Sequence, residues 1–196
     1  MTSGALARVI RSAADRRSDA ERCDLCGAEV FSGHRHLFET GREAVLCACR
    51  PCSVLFVEEG ASEGRYRLVP RRRVRLPPVD TQGLGVPVGL AFFVRHADDT
   101  VTAHLPSPAG ATRWEADQAA WRDVVSGCPQ LAGLAADVEA LLVNTAHGAR
   151  EHWIAPVDDC FRMVAVVRRE WRGLSGGSRV WPAVGQFFAE LTEQPQ

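Results

Sequence analysis

Cys23-Asp-Leu-Cys26 and, further along, Cys47-Ala-Cys49-Arg-Pro-Cys52 decide how the first third of this chain folds. They contain two C-x2-C pairs, 23/26 and 49/52, separated by 22 residues. In such a pair a short turn aims both thiolates at one ion and leaves backbone N–H groups free to bond the sulfurs. Two such turns joined by a hairpin complete a tetrahedron. The intervening residues read as that hairpin. Glu29-Val30-Phe31 leads into a Ser32-Gly33 turn, a strand runs from His34 to Thr40, the chain turns at Gly41, and Glu43 to Leu46 returns. The expectation is a zinc-ribbon-like β module over residues 21–57, with Cys23, Cys26, Cys49 and Cys52 as ligands and zinc as the metal. A closed four-cysteine site is structural, because its binding energy folds about 35 residues that cannot build a core alone.

Three further residues offer substitute ligands. Cys47 forms a C-x-C with Cys49, and His34 and His36 alternate along one strand, so both face the same side. The surplus thiol leaves iron, as a single ion or an iron–sulfur cluster, as the alternative cofactor at the same cysteines. A nuclease site of the HNH type is excluded by its own pattern. Ser53 stands where a histidine should follow the last cysteine, and no asparagine precedes Asn144.

Composition sets the surroundings. All 23 basic residues are arginine, so Schiff-base chemistry and a P-loop lysine are excluded. The N-terminal residues lack the apolar core of an export signal, which with the clustered thiols points to a reducing cytoplasm. The longest nearly apolar run, Val86 to Val94, is less than half of a bilayer span, so no membrane span is expected.

Outside the cysteine module, residues 1–20 read as an N-terminal amphipathic helix, with Leu6, Val9, Ile10 and Ala13 on one face. Ser53 to Val57 reads as a β-like run after the second pair. Residues 58–85 read as an arginine-rich strand and linker, with the strand from Tyr66 to Val69 and the linker from Leu76 to Gly85. Arginines 65, 67, 71, 72, 73 and 75 form a strip. Two readings apply to it, a phosphate-binding surface or a solvated strand edge. With Tyr66 as the one nearby ring for stacking, the edge reading is favoured and nucleic acid is not the expected partner.

Residues 86–196 read as an α+β domain. A strand from Val86 to His96 is followed by a hairpin partner from Thr100 to Leu105. Thr112-Arg-Trp-Glu115 fits a capping box opening a helix that carries Trp114, Trp121 and Val125. A strand pair spans 138–144 and 151–156, Phe161 to Trp171 is expected as a strand, and a last helix covers Arg179 to Leu191. The fold class is therefore α+β: the small N-terminal module joined to a mainly antiparallel sheet of four or five strands packed with two helices.

Other candidates read as structure. Asp158-Asp159 fits an aspartate-rich turn, and the glycine-rich loop from Gly173 to Ser178 fits a helix cap. Cys128 and Cys160 read as small core residues, and His104, His147 and His152 have no nucleophile in a recognisable motif. No catalytic residue is expected, and a non-enzymatic role is favoured.

Taken together, several segments carry a resemblance. They are Cys23-Asp-Leu-Cys26-Gly27, His34-Arg-His36-Leu37, Cys47-Ala-Cys49-Arg-Pro-Cys52, Arg65-Tyr-Arg-Leu-Val69, Pro87 to Phe93, Pro106 to Thr112, Val138 to Asn144, Glu151-His-Trp153 and Trp171 to Gly177. Over about residues 20–192 the chain resembles an uncharacterised bacterial family encoded beside nickel–iron uptake hydrogenase genes. The resemblance implies a cytoplasmic accessory role in hydrogenase maturation, assembly or electron transfer. It also implies a protein partner such as a hydrogenase subunit or maturation factor, and it assigns no catalytic residue.

Overall fold

The computed structural model describes residues 21–58, 61–85, 89–173 and 176–193; the helix expected over 1–20 lies outside them. The chain divides into two compact units, Met1–Leu68 and Val69–Gln196.

In the first unit, strands β1 (Arg35–Glu39) and β2 (Ala44–Ala48) form the expected hairpin, and β3 (Tyr66–Leu68) adds antiparallel to the other edge of β1, giving the order β2-β1-β3. Leu37, Phe38 and Ala48 are buried. Glu39 is also buried, and Arg65 compensates its carboxylate at 3.3 Å.

The β-like run expected over Ser53 to Val57 is corrected. Helix α1 occupies Arg50–Val54 and continues into a turn. Pro51 supplies the reason, since its fixed φ suits the first turn of a helix, where its missing N–H is no loss.

The second unit is built on a six-stranded, wholly antiparallel sheet in the order β4-β9-β8-β5-β6-β7. The strands are β4 (Val74–Arg75), β5 (Leu90–Arg95), β6 (Val101–Ser107), β7 (Gly110–Glu115), β8 (Glu139–Asn144) and β9 (Glu151–Pro156). Register places Phe93, Ala103, Leu141 and Ile154 on one face. Over them lie Trp121 and Val124 of helix α2 (Gln118–Gly127), with Leu131 and Leu134 from the following turn. Leu76, Val79 and Leu84, read as linker, bury in the same cluster. The opposite face carries Phe92 and His104, which meet Phe161 of helix α3 (Val157–Glu170) at ring centroid distances of 5.8 and 6.4 Å. Helix α4 (Val180–Glu193) packs on α3. Three layers result, which explains why β5 and β8 are apolar at nearly every position: both of their faces are covered.

Three expectations for this unit are corrected. Among the described residues the sheet has six strands, with α2 on one face and α3, which carries α4, on the other, rather than four or five strands with two helices. Thr112-Arg-Trp-Glu115 is strand, pairing with β6 from Ser107↔Gly110 to Thr102↔Glu115. The cap of α2 is instead Asp117, whose carboxylate accepts from the Ala120 N–H at 2.8 Å. Residues 161–170 are helix, and Trp171 follows as its extended C-cap. Val157, Cys160, Met163, Val164 and Val167 bury at helical spacing, Asp158 and Asp159 lie in the first turn, and Arg168 and Arg169 lie in the last turn, the arrangement a helix dipole favours. The strand pair at 138–144 and 151–156 and the last helix are present as expected.

Candidate metal centre

Each cysteine pair is shaped by its own backbone. In the first, the Gly27 N–H donates to the Cys23 carbonyl and the Cys23 N–H to the Ala28 carbonyl, both at 2.8 Å. Gly27 holds a φ of +73°, which a residue without Cβ adopts at no steric cost. In the second, Cys49 is extended (φ −67°, ψ 160°) and α1 starts immediately after it, with the Ser53 N–H donating to the Cys49 carbonyl at 2.9 Å. Asp24, between the first two cysteines, joins the two halves. Its N–H donates to the Cys47 carbonyl at 2.9 Å, and its Oδ2 accepts from the Cys47 N–H at 2.6 Å.

This framework gathers Cys23, Cys26, Cys49 and Cys52, their Sγ atoms all within 4.8 Å of one another. Cys26 and Cys49 come to 3.6 Å, close to the ~3.8 Å sulfur–sulfur edge of a tetrahedron with 2.3 Å metal–sulfur bonds. All four thiols are free. The four cysteines can hold a metal ion. Cys23 is buried, Cys26 exposed, and Cys49 and Cys52 lie between.

The electrostatics suit a cation. Burial pushes the Cys23 thiol upward, but hydrogen bonds from the backbone at Cys49, Cys26 and Leu25 outweigh it and bring the thiol down to about 6. Cys52 moves the other way, to about 12, because its neutral S–H donates to Cys49 and Cys26, which favours the protonated form, and burial adds to this. One thiol in the cluster thus ionises readily while another resists adding a second negative charge. An ion with two positive charges reverses that resistance.

His34, His36 and Cys47, read as substitute ligands, are gathered into a group of their own, with one ligand atom from each within 4.8 Å of the others. Sequence reasoning missed the part played by Asp24, which carries no signal beyond its place inside the first pair.

The remaining candidates are accounted for by local structure. Within the first unit Arg65 pairs with Glu39; within the second, Arg72 pairs with Glu139 at 2.7 Å, Arg73 with Asp159 at 2.5 Å and Arg75 with Glu151 at 3.0 Å. Asp159, expected in a turn, is a buried ion-pair acceptor for Arg73 and Arg162. Cys128 and Cys160 are buried, as expected of small core residues. His104 and His152 are buried, and His147 lies against Trp181 at 4.6 Å. Arg179, beside the glycine-rich loop, is engaged by Glu170. Among the described residues no helix is long and apolar enough to cross a membrane.

No curated protein and no solved structure matches the chain. A family model does match, over residues 22–195, which takes in the cysteine module and the six-stranded sheet together: the chain belongs to DUF5947, a family of unknown function.

Proposed function

We propose that this protein is a zinc-binding accessory protein in which Cys23, Cys26, Cys49 and Cys52 hold a structural ion, forming a zinc-ribbon-like module that engages a protein partner. The observation that carries the reading is the convergence of the four Sγ atoms within 4.8 Å on turns from separate segments of the chain. A full set of four protein ligands leaves no position for substrate, which is the mark of a structural site. Zinc is favoured over iron because Cys47, the surplus thiol that gave iron its case, groups with the two histidines.

The partner reading rests on Leu25, Phe31, Val54, Leu55 and Val57. These are the exposed large apolar side chains among the described residues, and all belong to the cysteine module. A hydrogenase subunit or maturation factor in the cytoplasm is the partner implied by the resemblance. The pairing of Arg65, Arg72, Arg73 and Arg75 with carboxylates argues against a nucleic-acid strip.

The test is metal analysis with an absorption spectrum on anaerobically purified protein. A colourless protein retaining zinc, with retention at the four cysteines lost in Cys26→Ser, supports the reading. Visible iron–thiolate bands, or full retention in Cys26→Ser, overturn it. For the partner, Leu55→Asp should abolish binding to purified hydrogenase components while leaving metal content intact; no binding by the unsubstituted protein refutes that part.

A further inference from the structure

We propose that His34, His36 and Cys47 form a second metal centre, distinct from the four-cysteine site, which binds zinc through two imidazoles and one thiolate and leaves its fourth position open.

The hairpin register builds this group. His36 and Cys47 are direct partners across β1 and β2, so their side chains leave the same face. His34 precedes His36 by two residues, and its ring meets that of His36 edge-on at 4.6 Å between centroids. One ligand atom from each of the three lies within 4.8 Å of the others. Bonds of about 2.1 Å to nitrogen and 2.3 Å to sulfur need these separations to close to about 3.4–3.6 Å, a movement within the reach of small rotations of the side chains.

The state of His34 is the independent observation. Its side chain is only 9% exposed. The Nδ1 atom lies 3.0 Å from the Phe31 carbonyl, to which a neutral ring donates its proton. That bond leaves the lone pair on Nε2, and Nε2 is buried with no hydrogen-bond partner. A buried acceptor without a partner is costly, and native proteins rarely keep one. An imidazole held through Nδ1–H by a backbone carbonyl, with Nε2 bare, is the arrangement that orients metal-ligating histidines.

The surroundings add negative charge. Asp24 Oδ2 accepts from the Cys47 N–H at 2.6 Å, and Glu21 Oε2 lies 3.5 Å from His34 Nδ1. Both carboxylates lie beside the group, and their charge favours a divalent cation there. Two neutral imidazoles and a thiolate form a borderline-soft set that suits zinc. Three protein ligands with the fourth position open to water or an incoming donor make this the site able to accept a ligand, in contrast to the closed four-cysteine set.

Zinc titration of the full-length apoprotein against a chromophoric chelator tests the proposal, with cobalt(II) as a spectroscopic probe. The expected result is two tight equivalents per chain, falling to one in Cys47→Ser and in His34→Ala. The sulfur-to-cobalt charge-transfer band of the four-thiolate site should persist in both variants, which also shows that the module is folded. One equivalent in the unsubstituted protein overturns the proposal, as does a Cys47→Ser variant that still binds two. If a variant loses both ions by unfolding, the count for the unsubstituted protein decides. Failure of the four-cysteine site is read separately, as the absence of the intense thiolate band.

Discussion

Acidification should destabilise the second unit through His104. This residue lies within β6, 4% exposed, its ring stacked on Phe92 at 4.5 Å with an interplanar angle of 3°. Burial, then the nearby Arg113 and His96, lower its pKa from 6.5 to about 4. A histidine whose folded pKa is depressed stays neutral while the unfolded chain takes up a proton. Its contribution is therefore complete above pH 6.5 and is lost as pH falls toward 4. A depression of this size removes about 2 kcal/mol by pH 5 and about 3 kcal/mol by pH 4. His104→Phe keeps a flat ring against Phe92 and cannot titrate. Urea unfolding monitored by tryptophan fluorescence is the assay, and it reports on the second unit because Trp114, Trp121, Trp153, Trp171 and Trp181 all belong to it. The unsubstituted protein should lose about 2 kcal/mol more than His104→Phe between pH 7.5 and pH 5. Parallel stability curves for the two proteins across that range would refute the reasoning.

Two further outcomes follow from the backbone. Asp117→Ala should cost about 1 kcal/mol by urea unfolding, from loss of the α2 cap, whereas Thr112→Ala should leave that helix untouched; equal losses would restore the capping box. Gly89 holds a φ of +70°, and a Cβ there would come within 2.7 Å of the Ala146 nitrogen. Gly89→Ala should therefore destabilise the second unit by about 1–3 kcal/mol, and a midpoint unchanged from that of the unsubstituted protein would show that the contact can relax.

The four-cysteine set was legible because C-x2-C spacing states its own geometry: a turn of that length has few other ways to place two sulfurs. The grouping of His34 and His36 with Cys47 needed more. Strand alternation puts the histidines on one side, but only the register His36↔Cys47 decides that this thiol joins them. Elsewhere local signals competed. Met163-Val-Ala-Val-Val167 has strand composition, and its β-branched residues obscured a helical stripe that becomes plain when Val157 and Cys160 are included. Thr112 and Asp117 are both good caps, and the choice between them depends on β6 needing a partner along its outer edge, a demand made by the whole sheet. The helix over Arg50–Val54 was within reach, since Pro51 signals a helix start more strongly than the apolar residues after it signal a strand.

The double hydrogen bond between Asp24 and Cys47 has a consequence for the order in which the module fills. Asp24 belongs to the turn that carries Cys23 and Cys26, while Cys47 belongs to the proposed second centre, so an ion at either place would still the same two strips of backbone. With both centres in use, whichever ion arrived first would lower the ordering cost for the next. Linkage requires that help to be equal in both directions, so the open site gains as much affinity from the closed one as it returns.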